Sequence, residues 1–161
     1  MKILKWSAAA LAVIFIGAQL IRPEKTNPPV EGARTLQAHA EVPPKVAAIL
    51  RRACYDCHSN ETQWPWYSNV APVSWFVIDH VNHGREHLNF SEWEQADEHN
   101  GQQDAQERFD EIIEEVKSRK MPLSSYLPLH PEAELSDQDI KLICDWAQLE
   151  RERLTYKSGT E

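Results

Sequence analysis

No run of this chain alternates apolar and polar residues with period two, and no segment recurs at a fixed spacing, so sheet architectures and repeat solenoids lack their sequence signals. Glycine is scarce, 5 in 161 residues, and no glycine-rich phosphate loop occurs, which removes the fingerprint of the nucleotide-binding folds. Basic residues are outnumbered, 17 Lys and Arg against 25 Asp and Glu, for a formal net charge of -8. With Lys2 and Lys5 in the first segment, 25 acids face 15 bases in the remainder. Such a surface repels nucleic acid and anionic headgroups, and the macromolecular partner whose charge suits it is a basic redox protein. The three cysteines are odd in number, so complete disulfide pairing is impossible. Of two methionines one is the initiator, which leaves Met121 as the sole internal thioether.

What is present has the composition of a soluble globular domain, 42% hydrophobic and 26% charged, and fits neither disorder nor a disulfide scaffold. The stretch that carries chemistry is Cys54-Tyr55-Asp56-Cys57-His58. Two cysteines three apart can each form a thioether to a porphyrin vinyl group, and a histidine directly after the second can reach the iron from the same side. The spacing encodes one covalent haem c, with Cys54 and Cys57 as attachment points and His58 as proximal iron ligand. A bare CxxC also serves redox dithiols and half zinc sites, but those need a βαβ context or further ligands that a single CxxCH does not supply. Cys144 falls on an apolar helical stripe and reads as a small buried core residue.

Met1 to Ile21 has a positive start and then an apolar stretch from Trp6, the n-region and h-region of an export signal. Ala18-Gln19-Leu20 supplies no small-residue cleavage site, and Ala38-His39-Ala40 lies too far downstream. Counted from Ile3, the helix runs about 19 residues, or about 28 Å, enough for a single-pass anchor. The lysines before it keep the N-terminus cytoplasmic and export the rest. A cleaved signal that frees a soluble exported product is the alternative. Residues 22–43 read as a proline-rich stalk, residues 44–156 as one domain, and residues 157–161 as a loose tail.

Within the domain, Val46, Ile49, Leu50 and Ala53 mark a helix that runs into Cys54. Gln63 to Pro72 is an aromatic, proline-punctuated loop. Its Trp64, Trp66 and Tyr67 rings are costly to expose and are candidates for a pocket wall against a large flat apolar ligand. Pro72 opens a helix to about His83, which Gly84 should end. Ser91-Glu92-Trp93-Glu94 starts a short surface helix, with Trp93 inward and Asn100-Gly101 as its stop. Asp104 to Lys120 is the clearest helix, ended by Met121-Pro122, and Ser136 to Asp139 open a last one with two apolar rows. The fold class is all-α.

With His58 on one side of the iron, the occupant of the other side decides the function. A thioether suits electron transfer, a second imidazole lowers the potential, and an open position permits ligand binding or peroxide chemistry. Met121, in a proline-bounded turn between two helices, is the candidate distal ligand. His80, on a face with Phe76 and Val77, is the alternative, and a site with no protein ligand is the third reading.

These residues resemble the c-type cytochromes and, more closely, a family of exported bacterial haem-binding domains. The likeness covers about Val42 to Trp146. It runs through Cys54-Tyr55-Asp56-Cys57-His58-Ser59-Asn60, Trp64-Pro65-Trp66-Tyr67-Ser68, Ala71-Pro72-Val73-Ser74-Trp75, His80-Val81 with Gly84-Arg85, Asn89-Phe90-Ser91-Glu92-Trp93, and Met121-Pro122 with Tyr126 and His130-Pro131. The resemblance implies a small cytochrome c-like helical domain around one covalent haem c, with His58 proximal and Met121 distal. It adds Arg85 as a candidate propionate contact. The function expected is that of a monohaem cytochrome anchored in the bacterial inner membrane, its C-terminal domain in the periplasm, passing one electron between partner proteins. A haem enzyme, or a redox or gas sensor with an open or labile distal site, is the alternative.

Overall fold

The computed structural model describes residues 2–93 and 101–158. Among them are seven α-helices and no strand: α1 Lys2–Ala18, α2 Leu36–His39, α3 Pro44–Ala53, α4 Tyr55–His58, α5 Val73–His87, α6 Gly101–Lys117 and α7 Asp137–Ser158. Short 3-10 turns at Trp66–Asn69, Leu127–Leu129 and Pro131–Ala133 punctuate the connections. The surface helix expected after Ser91 falls mostly outside the described residues, while Trp93 itself is buried. At the other end α7 carries on through Tyr156 to Ser158, and residues 159–161 lie outside the described residues.

The core forms where α6 and α7 pack along each other and α3 lies against α7. Phe109, Ile112 and Val116 of α6 are buried at helical spacing, and Ile143, Trp146 and Ala147 of α7 answer them. The start of α7 is held by a reciprocal cap: the Asp139 amide donates to Ser136 Oγ at 3.1 Å, and the Ser136 amide donates to the Asp139 carboxylate at 2.9 Å. A file of rings joins the core to α4. Tyr55 stacks on Phe90 (5.3 Å between centroids), Phe90 on Trp93 (6.4 Å), Trp93 meets Phe109 (5.1 Å), and Phe109 meets Trp146 edge-on (5.5 Å). The Trp146 indole is satisfied by the Glu41 carbonyl at 2.9 Å.

Three expectations from the sequence give way to the folded chain. The first helix stops at Ala18, a 17-residue helix about 25 Å long, and among the described residues no helix is long and apolar enough to cross a membrane. The chain turns off because the Gln19 side chain pairs with the backbone of Ala71 in both directions, at 3.0 and 3.1 Å, and the Trp75 indole takes the Ile21 carbonyl at 2.8 Å. The proline-rich segment is likewise no free stalk. Asn27 bonds the Thr62 carbonyl and the Trp64 indole, Arg85 takes the Thr26 carbonyl, and Leu36 is buried in the core, so the segment is strapped across the domain. Finally, α5 does not end at Gly84 but continues to His87, with the glycine packed against Cys57.

Truncating Phe109, 1% exposed between Trp93 and Trp146 in the ring file, to Ala should cost about 3–5 kcal/mol in chemical denaturation. Truncation of Leu149, 65% exposed on the same hairpin of helices, should stay within about 0.5 kcal/mol.

Candidate functional site

The motif is one helical turn set between two longer helices. α3 ends at Ala53 with the Cys54 amide on the Leu50 carbonyl, and α4 carries Tyr55 to His58, so both cysteines and the histidine project from a single turn. The turn is tied down by its own polar groups. Ser59 Oγ donates to the Tyr55 carbonyl at 2.7 Å, the Phe90 amide to the His58 carbonyl at 2.8 Å, and the Asn60 amide to Ser91 Oγ at 3.0 Å. Asp56 uses both carboxylate oxygens, one for the Gln63 amide at 2.9 Å and one for the Tyr126 hydroxyl at 2.7 Å. That links the motif to the loops on either side.

Helix α5 packs onto this turn through Gly84. A Cβ at residue 84 would stand 2.7 Å from the Cys57 carbonyl oxygen and 3.3 Å from Cys57 Cβ, closer than packed atoms allow. The close approach brings two backbone carbonyls of the helix end, Gly84 and Leu88, to 2.9 and 3.0 Å from His58 Nδ1. Carbonyls only accept, so Nδ1 carries the hydrogen and Nε2 holds the lone pair. Burial pushes the His58 pKa below its ordinary value, and the ring stays neutral, which is the state a metal-ligating imidazole needs.

The two thiols are held protonated. Burial, reinforced by its neighbour Cys57, pushes Cys54 up to about 12, and burial followed by the Asp56 charge pushes Cys57 up to about 11. A redox dithiol needs the opposite shift, toward the thiolate, so this environment does not suit one. Among the described residues no three His, Cys, Asp or Glu side chains converge to hold a metal ion, so a zinc site lacks its ligand set.

Beside the turn opens an apolar cleft of about 150 Å³, smaller than the roughly 300–1,000 Å³ of typical small-molecule and cofactor sites. It meets the motif at Asp56 and Cys57, while Cys54 and His58 sit half-buried behind that edge. One wall is α5, through Phe76, Val77, His80 and Val81; the other is the loop after α6, through Leu123, Tyr126 and Leu129. Tyr67 lines the cleft, but Trp64 and Trp66 do not. The Trp64 indole N–H needs an acceptor and finds Asn27 Oδ1 at 3.1 Å, turning that ring toward the strapped segment, and Trp66 is 76% exposed, edge-on to Tyr67. His80 lines the cleft with Nδ1 on the Phe76 carbonyl at 2.8 Å, whereas Met121 is half-buried in the turn before the loop wall, outside the cleft lining. Arg85 offers no free fork for a propionate. Its nitrogens bond the Ser59 carbonyl (2.7 Å), the Thr26 carbonyl (2.8 Å), Asn27 Oδ1 (3.1 Å) and Thr62 Oγ1 (2.7 Å), clasping the strap to the motif.

Residues 13–149 match the family model of a haem-binding domain. The chain belongs to the haem-binding domain family. No curated protein and no solved structure matches it. In this haem-binding domain the donor set fits haem: a neutral imidazole with its Nε2 lone pair free, two protonated thiols on the same turn, and an apolar cleft at the edge of that turn. Sequence reasoning does not single out Asp56, Gly84 as a contact, Leu88, Tyr126 or His130. Leu88 has no signal, and that of the others is their place within the family-like segments, because each acts through a contact distant in the chain.

Gly84→Ala should destabilise the domain by about 1–3 kcal/mol, as overpacking does, because the opposing atom is backbone and cannot swing aside. Denaturant midpoints measure the loss, and His58 ring nitrogen shifts should report a weakened Nδ1 hydrogen bond.

Proposed function

We propose that this haem-binding domain is an exported, membrane-associated monohaem cytochrome that carries one electron between partner proteins. The observation that carries the reading is the His58 ring, held neutral with Nδ1 on two carbonyls, on the same turn as two protonated thiols. In attachment, each thiol adds across a vinyl group: a carbon–sulfur bond forms, the thiol hydrogen goes to the other vinyl carbon, and no net electrons are exchanged. Cys54 and Cys57 are the proposed thioether sites and His58 the proximal ligand. Bound haem supplies a one-electron couple whose potential its ligands and surroundings set.

Met121 is the proposed second ligand. Its support is a half-buried thioether in a turn anchored by its amide on the Glu115 carbonyl at 3.2 Å, directly before the loop that walls the cleft. His80 is the second reading, favoured by its place in the cleft lining and by an Nδ1 engaged with backbone, which leaves Nε2 free. Support for membrane association comes from α1, whose apolar side chains are exposed on every side with none buried. The net acidity outside α1 supports basic redox partners.

Production in cells that mature c-type cytochromes tests the reading. The haem should stay with the polypeptide under denaturing conditions and be lost from a Cys54→Ser, Cys57→Ser double variant. The native spectrum should be six-coordinate and low-spin, and Met121→Ala should make it high-spin and open to carbon monoxide, while His80→Ala should not. The reverse pattern transfers the role to His80. A high-spin wild-type spectrum would sink electron transfer through a fixed second ligand.

A further inference from the structure

The loop wall of the cleft carries titratable side chains to which haem attachment assigns no role. Any part they play in redox chemistry rests on the haem reading above. The Tyr67 hydroxyl lies 2.6 Å from His130 Nε2, and on the other side of the ring His130 Nδ1 is 3.2 Å from the Glu132 carboxylate. A carboxylate only accepts, so Nδ1 carries a hydrogen, Nε2 of the neutral ring is the acceptor, and the Tyr67 O–H donates to it. Tyr126 stacks on His130 with centroids 4.0 Å and planes 7° apart, which holds the ring in that orientation. Exposure is graded along the chain of groups. The Glu132 side chain is 61% exposed, that of His130 is 16% exposed, and Tyr67 lines the cleft.

We propose that Glu132, His130 and Tyr67 form a proton relay that couples uptake of one proton from solvent at His130 to the arrival of one electron in the cleft. A one-electron reductant supplies the electron, solvent supplies the proton that forms the new N–H bond at Nε2, and oxidation releases both. Once Nε2 is protonated it becomes the donor and the Tyr67 oxygen the acceptor. The phenol hydrogen then turns away from His130 and is free to point into the cleft, toward the added negative charge.

The groups around His130 decide where this occurs. Tyr67 faces it from the Trp66–Asn69 turn, Tyr126 from the loop after α6 with Asp56 of α4 behind it, and Glu132 from its own turn. Arg52 of α3 donates to the Glu132 and Glu134 carbonyls and pairs with Asp139 at 2.9 Å. Glu132 and Asp56 are the carboxylates on the two sides of this cluster, and the Arg52 guanidinium is paired with Asp139. Both phenols are pushed above their ordinary range, first of all by burial, and stay protonated.

Redox titration of the haem-loaded full chain across roughly pH 5 to 8 tests the relay. Full coupling shifts the reduction equilibrium tenfold per pH unit, a fall in potential of about 59 mV per unit for a one-electron couple. His130→Gln keeps an acceptor for Tyr67 and a flat group on Tyr126 but does not titrate, and it should abolish the slope. Glu132→Gln removes the acid that stabilises the imidazolium and should move the sloped region to lower pH. Independently of any variant, nuclear magnetic resonance of the wild type should show His130 titrating at higher pH in the reduced state than in the oxidised one. A flat wild-type potential, a slope unchanged in His130→Gln, or identical His130 titration in both states overturns the relay while leaving covalently bound haem in place. Failure to retain haem under denaturing conditions overturns both readings.

Discussion

Helix α5 lies on the cysteine-bearing turn only because residue 84 has no side chain. The 2.7 Å that a Cβ would leave to the Cys57 carbonyl sets how near the helix comes, and that nearness puts the Gly84 and Leu88 carbonyls within reach of His58 Nδ1. From those two hydrogen bonds follow the tautomer of the ring, the free lone pair on Nε2 and the burial that keeps the imidazole neutral. A larger residue at 84 would push the helix away and leave His58 free to turn over. The glycine thus acts at long range on the donor chemistry of a residue to which no local rule connects it.

Around this contact the domain is braced from two directions. The file of rings from Tyr55 to Trp146 connects the motif to the α6–α7 core, so the turn that holds the thiols is packed continuously onto buried side chains. On the opposite side, the strap after α1 is clasped to Ser59 and Thr62 by the Arg85 fork. A guanidinium engaged on four acceptors is expensive to release, since each lost bond strands a polar group near the motif. The strap therefore belongs to the site's support, in keeping with a family match that begins at residue 13 and takes in the whole segment.

Much of the fold is legible in the sequence. Periodic apolar residues locate α3, α6 and α7, and the Ser136 cap gives the start of α7, because helix faces and caps are local properties of consecutive residues. The motif announces haem from spacing alone. Reading fails where one residue answers to a distant one. Gly84 looks like a helix stop because nothing near it in sequence reveals Cys57 against its Cα. Trp64 and Trp66 look like pocket wall because hydrophobic rings next to a haem motif suggest it, yet the Trp64 indole N–H has a partner at Asn27 that only folding supplies. The stalk looks free because prolines forbid helix without forbidding contact.

By itself, then, the sequence determined an all-α domain and the CxxCH turn within it, since both rest on short spacings that the helix geometry converts directly into shared faces. Tertiary structure decided the state and surroundings of that turn: which nitrogen of His58 is free, that the thiols stay protonated, that Arg85 clasps rather than greets a ligand, and that His130 meets Tyr67 across 63 positions of chain. The physical reason is that tautomers, desolvation and hydrogen-bond partners depend on what lies within a few ångströms in space. For these residues, that neighbour is far away along the chain.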